Sequence, residues 1–260
     1  MKYIKKFDTL EEQTAYLAEA DIDTYVGYVN ENETVYYDDA LPNYAEQYLT
    51  FDIISAGTIN YTGDTIYYSL DNGATWSATD GTSISVSAGD KVLWKGSHQN
   101  YGDKYSPSKF SGSTATFNIE GNIMSLIYGD NFIGQTTLPS TYTFSRIFME
   151  LKIVSARNLI LPATTLTEGC YYMMFGGATL TTAPTLPAAT LVENCYQFMF
   201  DYATSLNYIK CLATDISAKH CTLYWLRATA SNGTFVKAAS MNDWTTGVNG
   251  IPNNWTIENE

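Results

Sequence analysis

Histidine and arginine are scarce, with two His and three Arg in 260 residues. Neither His98 nor His220 stands near a Gly-x-Ser-x-Gly elbow, so nothing supports a nucleophilic triad. Basic residues are outnumbered, 14 against 27 acidic, for a net charge of −13, which argues against nucleic acid because phosphates need clustered Lys and Arg. There is no Cys-x-x-Cys pair, no phosphate loop and no 18-residue apolar run, which removes the common zinc, nucleotide and membrane-spanning-helix patterns. What remains is 45% apolar and unusually rich in Tyr, with 21. Tyr-rich, His- and Arg-poor composition favours a binding surface over a catalyst. No catalytic residue, cofactor or metal ligand is expected.

The acidity is concentrated at the start. Residues 1–47 hold 11 acidic and 3 basic residues, a net of −8, whereas residues 121–228 hold six of each. Lys2–Phe7 suits a strand, and Thr9 with Glu12 has capping-box spacing ahead of a short helix. Tyr25–Val29 and Thr34–Tyr37 read as a hairpin, and Asp38–Gln47 as a linker. This small α/β module is expected to be an acidic anchor. Glu31, Glu33, Asp38 and Asp39 lack the spacing of a calcium loop and read as a solvated face. Acidic residues rather than an apolar stretch follow Met1–Asp8, so no signal peptide is expected and the chain should be made in a cytoplasm.

Residues 48–120 carry short β-branched and aromatic runs: Tyr48–Ile53, Thr58–Tyr61, Thr65–Leu70, Ser83–Val86, Lys91–Trp94 and Thr114–Ile119. Glycines punctuate them at a spacing that predicts an antiparallel β-sandwich. Ser97–Ser113, rich in Gly, Ser and Tyr, reads as a long exposed loop. Ser69-Leu70-Asp71-Asn72-Gly73-Ala74-Thr75-Trp76 fits the Asp-box pattern known from sialidases. Sialidases repeat that box and add an Arg cluster. Here one copy occurs and all three Arg lie elsewhere, so a hairpin turn is expected.

After Gly121 the chain repeats itself. Leu161-Pro162-Ala163-Thr164-Thr165-Leu166 returns 25 residues later as Leu186-Pro187-Ala188-Ala189-Thr190-Leu191. Cys170-Tyr171 and Met174-Phe175 return as Cys195-Tyr196 and Met199-Phe200. A degenerate third unit starts at Leu212-Ala213-Thr214 and reaches Cys221 nine residues on, and Phe148…Ile153…Ala156 supplies an upstream half-unit. Apolar slots at such a period predict stacked coils that close one another's core. Within each unit, Glu168–Phe175 suits a helical turn and Leu180-Thr181-Thr182-Ala183-Pro184 an extended stretch.

These repeats resemble the BspA-like leucine-rich repeats abundant in proteins of gut Bacteroidales and their phages. The ending Gly233–Lys237…Trp244…Gly250–Thr256 is similar to the closing segment of such proteins, and Met1–Asp39 is similar in style to N-termini of phage virion proteins. The resemblance covers residues 121–260 and implies a short leucine-rich-repeat-like solenoid over 121–228 with a C-terminal cap over 229–260; with the acidic anchoring module and linker over 1–47 and the β-sandwich over 48–120, the expected fold is mainly β with short helices. The resemblance further implies a non-enzymatic virion protein (tail fibre, head fibre or decoration) that binds a host glycan or protein. Its partners would be other virion proteins through the N-terminal module, with a homotrimer by analogy, no nucleic acid and no membrane insertion. The alternatives are a bacterial cell-surface adhesin, which would carry an export signal, and a glycan-active enzyme, which would need paired carboxylates.

Two sets of side chains invite a functional reading. Cys170, Cys195 and Cys221 share one slot, and either a metal or thiol site or a ladder of small buried side chains would explain that; the ladder fits better, since free Cys behaves as a small hydrophobe. Among the carboxylates only Glu150 has an apolar sequence context. Tyr172, Tyr202 and Tyr208 fall outside the shared slots and are expected to form an exposed ligand-contact strip.

Overall fold

In the computed structural model, residues 43–101, 108–242 and 244–260 are described. The strand, helix, hairpin and acidic run expected before residue 43 lie outside them.

Nine strands come first: β1 (Leu49–Ser55), β2 (Gly57–Ile59), β3 (Tyr61–Thr62), β4 (Tyr67–Ser69), β5 (Ser77–Ala78), β6 (Ile84–Val86), β7 (Lys91–Lys95), β8 (Lys109–Phe110) and β9 (Thr116–Asn122). A single turn of helix, α1 (Ser125–Tyr128), follows, and then β10 (Leu159–Ile160), β11 (Tyr208–Cys211), β12 (Thr234–Lys237) and β13 (Thr256–Asn259). The described chain is therefore mainly β. A six-stranded sheet runs β10-β9-β1-β7-β4-β5, and β2 pairs with β6 and β3 with β8. Alternation along Leu49-Thr50-Phe51-Asp52-Ile53 turns Leu49, Phe51 and Ile53 inward. Phe51 lies opposite Val92 and Ile119 and stacks on Phe117 at 4.4 Å.

The described parts of Ser97–Ser113, residues 97–101 and 108–113, depart from the expected exposed loop. Tyr101 and Phe110 are fully buried, and Lys109–Phe110 is a strand paired with Tyr61–Thr62. These two large aromatics bury enough apolar area to pin the described stretches that carry them despite their polar surroundings in sequence.

Beyond β9 the chain turns through stacked coils whose repeats are held by two alternating sets of backbone hydrogen bonds. Within a coil, every second N–H closes a β-turn, as Tyr172 N–H to Gly169 O and Met174 N–H to Tyr171 O do. The intervening N–H groups reach the next coil: Tyr171 to Cys195 O, Met173 to Gln197 O and Phe175 to Met199 O. Each turn corner takes a positive φ, at Tyr142, Arg146 and Glu150, then Gly169, Met173 and Gly177, then Asn194, Phe198 and Tyr202, then His220, Tyr224 and Ala228. The helical turn expected over Glu168–Phe175 is therefore a ribbon of tandem β-turns with corners every four residues. Its residues in the continuous apolar core (Cys170, Tyr171, Met174, Phe175, Ala178) follow that same period of four, close enough to 3.6 to pass for a helix face. The extended parts pair in parallel, through the bridges Phe117↔Ile153, Ser155↔Thr182 and Thr182↔Tyr208 and then β11-β12-β13.

The third unit also shifts. The slot of Leu161 and Leu186 is filled by buried Cys211, bridged to Leu186, and Leu212 is not the equivalent residue. One extra residue before Cys221 restores the register, so Asn194 and Phe198 match His220 and Tyr224 at 26 residues.

Because the N–H groups between the ribbon turns point toward the next coil, the two ends need different partners. At the first coil, Tyr101, Phe110, Phe117, Ile119, Gly121 and Ile123 donate to the carbonyls of Thr143, Ile147, Lys152, Ser155, Asn158 and Ile160. Strand β9 thus acts as a preceding coil, and the boundary expected after residue 120 falls inside it. At the last coil, Tyr224 N–H donates to Asn249 Oδ1 and Trp225 Nε1 to Gly250 O. Aromatic stacks run through the core along the same axis. One joins Tyr101, Phe144, Tyr171, Tyr196, Trp225 and Trp244 with centroids 5.4–6.3 Å apart. Another joins Phe110, Phe148, Phe175 and Phe200 at 5.4–5.9 Å. Tyr44–Glu260 is one compact unit sharing this core.

Candidate functional site

The turn ribbons bring side chains from successive coils into rows one hydrogen-bonded step apart. Tyr142, Tyr172, Phe198 and Tyr224 form one row, with ring centroids 5.6–6.0 Å apart. At its far end Arg227 lies 4.7 Å from the Tyr224 ring, 5.0 Å from Tyr202 and 5.9 Å from Phe198. Its guanidinium is held by Asp201 through two hydrogen bonds of 2.8 and 2.6 Å. Asp201 is buried and Arg227 half-buried, so the pair is a charge-neutral, bidentate brace. At the other end Arg146 sits 5.5 Å over Tyr172, and Glu168 accepts from Tyr142 Oη at 3.2 Å and Asn194 Nδ2 at 3.4 Å.

The three tyrosines expected to form one exposed strip occupy three environments. Tyr172 is buried, between the edges of Tyr142 and Phe198, and is corrected from surface to packing. Tyr208 is half-buried on the parallel strands, 5.8 Å from Arg157, away from the ribbons. Tyr202 alone stands out, 58% exposed at a ribbon corner. Its row neighbours are Gly177 and Ala228, which have no side chain long enough to cover it.

Asp201, Arg227, Phe198 and Tyr224 were not singled out from sequence. A signal was present: Asp201 and Arg227 lie 26 residues apart, as do Glu193 and Lys219, which pair at 3.6 Å. Opposite charges one repeat apart become neighbours once coils stack.

Cys170, Cys195, Cys211 and Cys221 are all buried and free. Burial pushes the thiols of Cys170 and Cys211 up to about 12, which suppresses the thiolate needed for nucleophilic or metal chemistry. His220 is exposed at a corner and faces away from that ladder, and no cluster of three His, Cys, Asp or Glu suited to a metal occurs among the described residues. Glu150 is exposed rather than set in apolar surroundings.

The Asp-box folds as the hairpin between β4 and β5. Asp71 accepts from Thr75 Oγ1 at 2.6 Å, Thr75 N–H at 2.9 Å and Ser69 Oγ at 2.7 Å. These bonds, the Thr75 hydroxyl first, pull its carboxyl down to about 2. Gly73 supplies φ +87° at the turn, and Trp76 packs half-buried on Tyr48 beneath the Lys95 ammonium, 4.2 Å from its ring. The Ser69 hydroxyl, the Asp71 carboxylate and the Thr75 hydroxyl are all engaged within the turn.

Comparison of the chain with protein-family models, with curated proteins and with solved structures gives no match in any of the three. The chemistry of the ribbon surface therefore has to be read from its own residues. A charge-neutral aromatic cluster with one projecting ring offers contact area at low entropic cost.

Proposed function

We propose that this protein is a non-enzymatic attachment protein, a virion fibre or decoration of a phage, that presents the turn ribbons to a host glycan or protein. In this reading the coils of residues 121–228 form a short leucine-rich-repeat-like solenoid closed by residues 229–260, the strands of 48–120 form a β-sandwich spacer, and the acidic residues 1–47 are the anchor to other virion proteins. The observation that carries it is Tyr202, projecting from a corner fixed by inter-coil hydrogen bonds and backed by the Asp201–Arg227 brace. Preorganisation of this kind lowers the entropic cost of binding. The repeat resemblance supplies the virion setting, and no helix among the described residues is long and apolar enough to cross a membrane.

The test is adsorption of the labelled full chain to intact gut Bacteroidales cells. Saturable retention, competed by unlabelled chain and without release of cleaved glycan, is expected. No saturable retention across a panel of such cells defeats the attachment reading, and glycan turnover defeats its non-enzymatic part.

A further inference from the structure

Resting on that attachment reading, we infer that the Tyr202 corner is a subsite for a sugar ring of a neutral glycan. The apolar face of the sugar stacks on the Tyr202 ring, and its hydroxyls donate to the carboxylate of Glu150.

Three observations lead there. First, Tyr202 is the exposed large hydrophobic of the ribbons among the described residues; the other exposed ones after β9 (Ile133, Val154, Val248 and Ile257) lie off them. One ring is far too small for a protein–protein patch, which needs ~800 Å² per partner, but it matches one sugar. Second, a carboxylate stands in the same row of corners, over the intervening glycine. Glu150, Gly177 and Tyr202 occupy the same corner in consecutive coils, and Glu150 leans over the glycine: its Cγ lies 3.2 Å from where a Cβ on Gly177 would be. With strands ~4.8 Å apart, this brings Glu150 within about one coil of the ring. Third, the charge is wrong for an anion. Asp201 occupies Arg227 by two hydrogen bonds, so the corner offers no spare cation, and Glu150 adds a negative charge. A polyhydroxylated neutral ring needs both things the corner supplies, an apolar platform and a strong acceptor.

Affinity electrophoresis of the full chain through gels containing mannan, laminarin, galactan or heparin tests this. At least one neutral polysaccharide should retard the chain while heparin does not. Tyr202→Ala should weaken retardation about tenfold, Tyr202→Trp should retain it, and Glu150→Gln should weaken it by a smaller factor; unchanged thermal unfolding verifies the fold of each variant. The inference is overturned if no neutral polysaccharide retards the chain, if Tyr202→Ala is retarded like the parent, or if heparin retards most. Whole-cell adsorption separates the two ideas. Adsorption that survives Tyr202→Ala, or that trypsin treatment of the cells abolishes, leaves attachment standing and removes the sugar subsite, whereas a parent chain that fails to adsorb removes attachment itself.

Discussion

Replacing Ala228 by glycine should stabilise this protein, against the usual direction of such a change. Ala228 is exposed and sits at φ +58°. A left-handed backbone crowds the Cβ of an L residue against its own carbonyl, at ~1–2 kcal/mol. Glycine removes that cost but loses more freedom on folding, at ~0.5–1 kcal/mol. Because the methyl is solvent-exposed, little packing is lost, and the balance is a gain of ~0.5–1 kcal/mol. For a unit of about 150–250 residues, each kcal/mol moves Tm by about 2–4 °C, so a rise of ~1–4 °C is expected. The control is Ala189→Gly, exposed in the preceding coil and not at a positive-φ corner, which should lose ~0.5–1 kcal/mol. Differential scanning calorimetry of the two variants against the parent reads both signs at once. If Ala228→Gly is destabilised like Ala189→Gly, the left-handed corners, and the tandem-turn description built on them, are refuted.

Phe175→Ala removes the middle of a stack held 5.4 Å from Phe148 and 5.5 Å from Phe200; urea titration followed by Trp fluorescence should show a loss of ~3–5 kcal/mol, and a loss below ~1 kcal/mol would mean the stack is not close-packed. Iodoacetamide at neutral pH should leave Cys170 and Cys211 unmodified in the native protein and label them in urea, as read by mass spectrometry; labelling of either in the folded chain contradicts the buried ladder. Asp71 should titrate near 2 by carboxyl-carbon NMR, and Thr75→Val should move it back toward the ordinary 3.8. Its folded value lies below its ordinary one, so the hairpin stabilisation is present above the ordinary value and is lost as the pH falls through about 2. A midpoint unchanged by Thr75→Val would show that the hydroxyl does not hold the carboxylate.

The repeat was legible because its cause is local. A coil that cannot bury its own stripe must place apolar residues in the same slots each time, and Cys170/Cys195, Tyr171/Tyr196 and Phe175/Phe200 record that directly. The Asp-box hairpin was legible for the same reason, since Ser69, Asp71, Gly73 and Thr75 satisfy one another within a few residues. The left-handed corners were not. Most are occupied by residues such as Met173, Phe198 and Tyr224 that have no preference for positive φ, and a corner every four residues imitates a helix. Burial of Tyr172 was hidden too, because its cover comes from Tyr142 and Phe198 on the neighbouring coils.

By itself the sequence determined a mainly β chain, a period of 25 residues with fixed core slots, an acidic first fifth and a neutral repeat region. Tertiary structure decided which tyrosine meets solvent. Stacking places residues 26 apart side by side, so Arg227 of one coil reaches Asp201 and the Tyr202 ring of the one before it, while Gly177 and Ala228 leave the rest of that ring open to solvent. Exposure at such a corner depends on the neighbours that hydrogen bonding brings alongside, and a side chain's own sequence context carries almost nothing about them.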